Sequence, residues 1–177
     1  DTATTEIYSL SLHDALPILE LWASDGTAAG TALVKNINPS SPDSWPQNFA
    51  AAGDRVFFMA HDSTNGYELW VSDGTAAGTT LVKDIYPGST GSYPGYLTVA
   101  GDRVFFQANN GTNGYELWVS DGTAAGTVLL KDIYPGGSGD PNSFAVVGDR
   151  VIFRAHDSTN GYELWVSDGT AAGTTLV

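Results

Sequence analysis

The chain has 177 residues, 42% of them hydrophobic, which is the length and composition of one packed domain and argues against disorder. Twenty acidic residues against seven basic ones give a formal charge of −13, so a phosphate-binding face for nucleic acid is excluded and anionic lipid surfaces are repelled. There is no cysteine, hence no disulfide or thiolate metal site, and no apolar run reaches the length of a membrane span.

At the N-terminus, Glu6 to Ile18 spells EIYSLSLHDALPI. This resembles the translation of a sequencing-library adapter, EIYTLSLHDALPI, with Ser9 the one departure. It matches no copy of the repeat that begins at Glu20. Residues 1–18 are therefore expected to be a non-native leader and are set apart from the fold, His13 and Asp14 with them. The alternative is a genuine variable leader.

From residue 19 onward the chain repeats itself. ELWxSDGTAAGT occurs four times, with its tryptophan at Trp22, Trp70, Trp118 and Trp165, spaced 48, 48 and 47 residues apart. GDRV begins at Gly53, Gly101 and Gly148, and a K(D/N)I(Y/N)P string at Lys35, Lys83 and Lys131. One period predicts four short strands. In the second copy these are Phe49–Ala52, Arg55–Ala60, Tyr67–Ser72 and Thr79–Ile85, hereafter a to d in each unit. The Gly53-Asp54 pair between apolar runs signals a tight hairpin, the DGTAAG loop a second one, and Pro87 with the following Gly and Ser residues ends the unit. No helical periodicity of useful length is present.

Strand b is apolar on both faces, Val56 and Phe58 on one side and Phe57 and Met59 on the other. Such a sheet needs a layer above and below, and four-stranded units stacked around an axis supply both. The expected fold is all-β: tandem four-stranded antiparallel blades forming an incomplete β-propeller, an open arc. A β-solenoid is the alternative, disfavoured because tight hairpins imply antiparallel strands. The divisions are a half blade at 20–37 and blades at about 49–85, 96–133 and 144–177, with exposed terminal edges that pack against further repeats of a longer chain. If Ser72 faces Thr79, then Trp70 faces Leu81 and Glu68 faces Lys83, with Glu116–Lys131 and Glu20–Lys35 as matching cross-strand ion pairs.

The string at Glu68–Thr79, with its copies beginning at Glu20, Glu116 and Glu163, resembles the ELWxxDGT repeat family of bacterial proteins; with the GTxLVKDI and GDRVFF flanks it spans nearly all of 20–177. Leu19 departs from the Tyr that precedes ELW elsewhere, and Ala23 from the Val that follows it. The resemblance implies a long secreted or surface-associated protein with a propeller-like fold, and it implies no activity, cofactor or substrate.

Polar groups in the repeat have structural readings. Asp25, Asp73, Asp121 and Asp168 of SDGT could suggest calcium, but one carboxylate per loop is a poor calcium site, and a turn-capping role accounts for them. No cofactor is expected. His61-Asp62 and His156-Asp157 are replaced by Asn109-Asn110 in the third copy, with no nucleophile nearby, and so are taken as loop edges. Asn110-Gly-Thr112 fits a glycosylation sequon that a bacterial chain would not use. The ELW tryptophans, placed periodically in mid-strand, are expected in the core between blades.

Variation between copies concentrates in the d-to-a connections, PSSPDSWPQNF, PGSTGSYPGYL and PGGSGDPNSF. These should emerge on the same end of the blades as the b–c loops, opposite the GD and SDGTAAG turns. Binding resides more often in diversified loops on a rigid scaffold, so Trp45, Tyr93, Tyr96, Asp62 and Asn65 are the candidate ligand contacts. The functional expectation is a non-catalytic extracellular or cell-surface scaffold or adhesion module whose ligand is a protein or carbohydrate. The rival from another class is a piece of a propeller enzyme, a glycosidase or quinoprotein-like dehydrogenase, whose catalytic groups lie in blades outside this stretch; a structural spacer is the third reading.

Overall fold

The computed structural model describes residues 6–10, 19–41 and 43–177, the first of these as backbone only. Among the described residues there are fifteen strands and no helix. Strand β1 (Glu6–Leu10) precedes β2 (Glu20–Ser24) and β3 (Ala32–Lys35). The second unit holds β4 (Gln47–Ala52), β5 (Arg55–Asp62), β6 (Gly66–Ser72) and β7 (Thr80–Lys83). The third holds β8 (Gly95–Ala100), β9 (Arg103–Asn109), β10 (Tyr115–Ser120) and β11 (Val128–Lys131). The fourth holds β12 (Asn142–Val147), β13 (Arg150–Asp157), β14 (Gly161–Ser167) and β15 (Thr175–Leu176).

Each of the last three units is a separate four-stranded antiparallel sheet in chain order, and β1-β2-β3 form a three-stranded one. In that sheet β1 takes the position held by strand b elsewhere, with Tyr8 opposite Trp22 as Phe58 is opposite Trp70. The first strands of adjacent blades, β4 with β8 and β8 with β12, lie against one another, whereas the fourth strands approach far less. The blades therefore fan out from an axis lined by strand a, and the fold is an incomplete β-propeller, open as an arc.

The two apolar faces of each blade enter two different cores. Val56, Phe58, Ala60 and Trp70 meet Leu21 and Ile37 of the preceding unit, while Phe57, Leu69 and Val71 meet Val104, Phe106 and Trp118 of the following one. The same alternation puts Phe105, Leu117 and Val119 against Val151, Phe153 and Trp165. Because side chains alternate along a strand, ELW sends Leu forward to the next blade and Trp back to the previous one. The indole rings of Trp22, Trp70 and Trp165 are buried with Nε1 lacking a partner, a penalty of about 1–3 kcal/mol each that ring burial offsets.

One expectation about register is overturned. A bulge between Leu69 and Trp70 places Leu69, not Glu68, opposite Lys83, and equivalent bulges do the same at Leu117–Lys131 and Leu21–Lys35. The extra residue turns glutamate and lysine to opposite sides, so the Glu68–Lys83, Glu116–Lys131 and Glu20–Lys35 pairs do not form. Strand d also stops at Lys83 rather than Ile85.

Each partner of the supposed pair has another task. Glu68, fully buried, accepts hydrogen bonds from Tyr86 N (2.9 Å), Ser92 N (3.0 Å) and Ser92 Oγ. Glu116 accepts from Ile133 N, Tyr134 N and Gly139 N, and Glu20 from Ile37 N and Ser44 Oγ. The carboxylate thus ties down the connection that leaves its blade. Lys83 Nζ instead donates to Thr127 O (2.8 Å) and Lys35 Nζ to Thr79 O (2.6 Å), both in the next blade. Arg103 adds bonds to Asp168 O and Gly169 O across the same kind of interface, and Arg55 reaches Asp121 O.

The SDGTAAGT loop accounts for its own letters. Ser72 Oγ meets Thr79 Oγ1 at 2.7 Å and accepts from Gly74 N, whose φ of +86° suits glycine. Asp73 Oδ1 accepts from Thr75 N and Thr75 Oγ1, and Thr75 Oγ1 accepts from Gly78 N. A Cβ at Gly78 would lie 2.0 Å from the Asp73 carboxylate and would displace it from this turn. The bonds from Thr75 hold the Asp73 carboxyl below the usual carboxylate range, and the same contact acts on Asp25, Asp121 and Asp168.

Candidate functional site

The b–c loops and the d-to-a connections meet at one end of the blades. Tyr67 forms a bridge with Gly91, Asn38 Nδ2 lies 3.1 Å from His61 Nδ1, and Ser40 Oγ donates to Ser63 Oγ. Ser44, Ser92 and Gly139 are the stitches between units. Their carbonyls accept from His61 N, Asn109 N and His156 N of the following blade, while their other polar groups reach the glutamate of the preceding one.

The five predicted ligand contacts separate into two kinds. Asp62 and Asn65 serve their own loop: Asp62 Oδ1 accepts from Thr64 N and Asn65 N, and Oδ2 from Asn65 Nδ2. Asp157 with Asn160 repeats this geometry, and Asn110 with Asn113 substitutes for it. Trp45, Tyr93 and Tyr96 are instead exposed, by 49%, 42% and 56%.

Those three aromatics have an unusual backbone. Trp45, Tyr93 and Asp140 occupy one position of the period, with φ of +49°, +50° and +45°; Asn48, Tyr96 and Ser143 occupy another, with φ of +60°, +57° and +57°. The left-handed region costs a bulky residue about 1–2 kcal/mol and is easier for Asn and Asp. The conformation comes from the entry of strand a. Trp45, Tyr93 and Asp140 turn there to donate N–H to Leu19 O, Tyr67 O and Tyr115 O, and a bulge follows between Gln47 and Ala50, Gly95 and Thr98, and Asn142 and Ala145. All three blades need the bend. Asn48, Asp140 and Ser143 make it without a ring, so aromatic side chains there are not a requirement of the fold.

A cleft of about 490 Å³ opens between β4 and β8 beside the axis, lined by Asn48, Phe49, Gly95, Tyr96 and Leu97. Asn48 Nδ2 donates to Pro94 O (3.3 Å), tying its two walls, and Phe49 stacks on buried Phe58 at 5.5 Å. A smaller cleft of about 250 Å³ is lined by Leu19, Trp45, Pro46 and Gln47. Nearby, His61, Tyr67 and Tyr93 form a ladder of rings with centroids 4.8 and 5.1 Å apart. The sequence did not single out Asn48, Phe49 or Leu97. Their signal is positional: they are the copies of Tyr96, Leu97 and Phe144 one period away.

The most perturbed acids lie elsewhere. Burial pushes Glu68 and Glu116 up to about 7, against the bonds from Ser92 and Tyr86 in one case and from Ile133, Gly139 and Tyr134 in the other. Carboxyls near neutrality suit acid–base chemistry, but these are sealed inside the blade and hold backbone rather than a substrate. Among the described residues no group of three or more His, Cys, Asp or Glu side chains gathers as a metal site, and no helix is long and apolar enough to cross a membrane.

No family model matches the chain, and no curated protein does. Solved structures do. The chain superposes on puromycin hydrolase, an S511A mutant complexed with PGG, with a TM-score of 0.60 and 15% identity over 89% of its own length. It superposes on a protein of Agrobacterium tumefaciens assigned as TolB with a TM-score of 0.55 and 13% identity over 93%. It spans 24% of the hydrolase chain and 58% of the TolB chain. At these identities the likeness is one of fold, and both structures are propeller-like.

Proposed function

We propose that the chain is part of a non-catalytic extracellular or cell-surface scaffold that binds a ligand on the end of the blades where the d-to-a connections emerge. One observation carries this reading: the buried glutamates, the SDGT aspartates and the basic side chains that cross between blades are occupied in building the fold, whereas the groups that differ include exposed rings the backbone does not require. Lys35, Lys83, Arg55, Arg103, Glu20, Glu68 and Glu116 bond to backbone of neighbouring segments, and the SDGT aspartates bond to their own turns. A hydrolytic reading would draw on the likeness to puromycin hydrolase, but the larger cleft is lined by no His, Asp, Glu, Ser or Cys side chain.

The test is a labelled sample of the chain on protein and glycan arrays, beside a Trp45→Ala/Tyr93→Ala/Tyr96→Ala variant of matched thermal stability. Loss of binding in the variant supports the reading. Binding that survives the triple change refutes the assignment to this end of the blades.

A further inference from the structure

We infer that the cleft between β4 and β8 takes an uncharged sugar ring, stacked on Tyr96 and flanked by Phe49; this rests on the binding reading above and specifies its ligand. Four observations converge on that chemistry. First, the cleft has the size usual for a small-ligand site and sits between the first strands of two blades. Second, its walls combine apolar surface from Phe49, Leu97 and the Tyr96 ring with polar groups, the Asn48 amide and the Tyr96 hydroxyl. A pyranose matches this with an apolar C–H face and a hydroxyl edge.

Third, Tyr96 holds a left-handed backbone that Asn48 and Ser143 adopt at the same position of the period. Its ring is therefore an addition to what the fold needs. Phe49, half-exposed, is braced from below by Phe58, so that wall of the cleft is preformed. Fourth, charge selects against anionic ligands. The chain carries −13, and Lys35, Lys83, Arg55 and Arg103 are committed to carbonyls of the next blade. Phosphorylated, sulfated and uronic-acid ligands would meet a repulsive field with no free cation in the cleft.

The test uses the whole chain and a panel of neutral oligosaccharides, namely cellohexaose, maltohexaose, mannohexaose and chitohexaose, with a trigalacturonate as the anionic control. Binding is followed by tyrosine and tryptophan fluorescence and by calorimetry. The expected result is saturable binding of at least one neutral sugar with Kd from about 10 μM to 1 mM. Tyr96→Ser, which brings in the side chain carried at position 143, should weaken it at least tenfold while leaving the melting temperature unchanged; Phe49→Leu should weaken it less.

A flat response to all four neutral sugars at about 10 mM overturns the inference, as does tighter binding of the galacturonate or an affinity untouched by Tyr96→Ser. If the sugars fail while an array ligand still depends on Trp45, Tyr93 and Tyr96, the glycan class alone is wrong and the binding face stands.

Discussion

Glu68→Ala separates the clamp seen in the structure from the ion pair expected of the sequence. The change removes the acceptor of two backbone N–H groups, Tyr86 and Ser92, and of the Ser92 hydroxyl, inside a blade where Glu68 has no solvent exposure. A buried donor without a partner costs about 1–3 kcal/mol, and the hydroxyl can rotate, so the two amides set the scale at roughly 2–6 kcal/mol at pH 5. Linkage then gives the cost a slope. The folded carboxyl titrates near 7 and the unfolded one at 4.5, so the folded state holds the extra proton between those values and the wild-type chain loses stability as pH rises through that window. Alanine has no proton to lose, so the cost of the substitution should shrink by on the order of 2 kcal/mol at pH 8. Urea unfolding followed by tryptophan fluorescence measures the cost, and hydrogen exchange at Tyr86 and Ser92 localises it. Glu163→Ala is the internal control: the same letter of the same motif, but exposed in the last blade, and expected to cost under about 0.5 kcal/mol. A Glu68→Ala cost equal to the control, a cost that grows with pH, or a Glu68/Lys83 double-mutant coupling of about 0.5 kcal/mol or more would refute the clamp.

Other expectations follow from the same geometry. Stability of the whole chain should peak in mildly acidic solution: Glu68 and Glu116 lose stability as pH rises from 4.5 to about 7, while Asp25, Asp73, Asp121, Asp157 and Asp168, held below 3.8, contribute stability that is lost only as pH falls through their folded values. Melting temperatures between pH 3 and 9 check this, and a maximum above pH 7 contradicts it. Phe105→Ala should cost about 3–5 kcal/mol in urea unfolding, since Phe105 is fully buried in the core between the third and fourth blades. Gly53→Ala and Gly66→Ala both force alanine to positive φ, +62° and +72°, but only at Gly66 would the new Cβ meet backbone, 2.5 Å from Gly91 N. Gly53→Ala should cost about 1 kcal/mol and Gly66→Ala clearly more; equal costs in denaturant titration would show that the crossover gives way.

The blade was legible because three signals agreed: the period, the hairpin turns and the two apolar faces of strand b. Phe57 and Phe58 side by side already demanded a layer on each side. The glutamate was misread because the bulge at Leu69/Trp70 inserts one residue into a ladder that residue counting treats as unbroken. Nothing in YELWVS marks that insertion, and the donors that recruit Glu68, Tyr86 and Ser92, lie 18 and 24 residues further on. At the candidate site, variation between copies pointed to Trp45, Tyr93 and Tyr96. The cleft beside them was hidden because it depends on two blades approaching along strand a, a contact between residues about 48 positions apart. Asp62 and Asn65 looked available as isolated letters, and only their mutual bonds reveal them as a turn.

The lysine and arginine contacts between blades all point the same way, from one unit to the loop carbonyls of its successor. Each junction thus has a donor side and an acceptor side: Lys35 alone donates at the first, Lys83 with Arg55 at the second and Arg103 at the third. Excising the 48 residues 67–114 would join the start of one strand c to the start of another and leave the donor and acceptor sides of the remaining junctions in the same order. A gene built this way can lengthen or shorten by whole units through misaligned recombination, each product inheriting compatible junctions, while the strand a entrances and their side chains remain free to diverge.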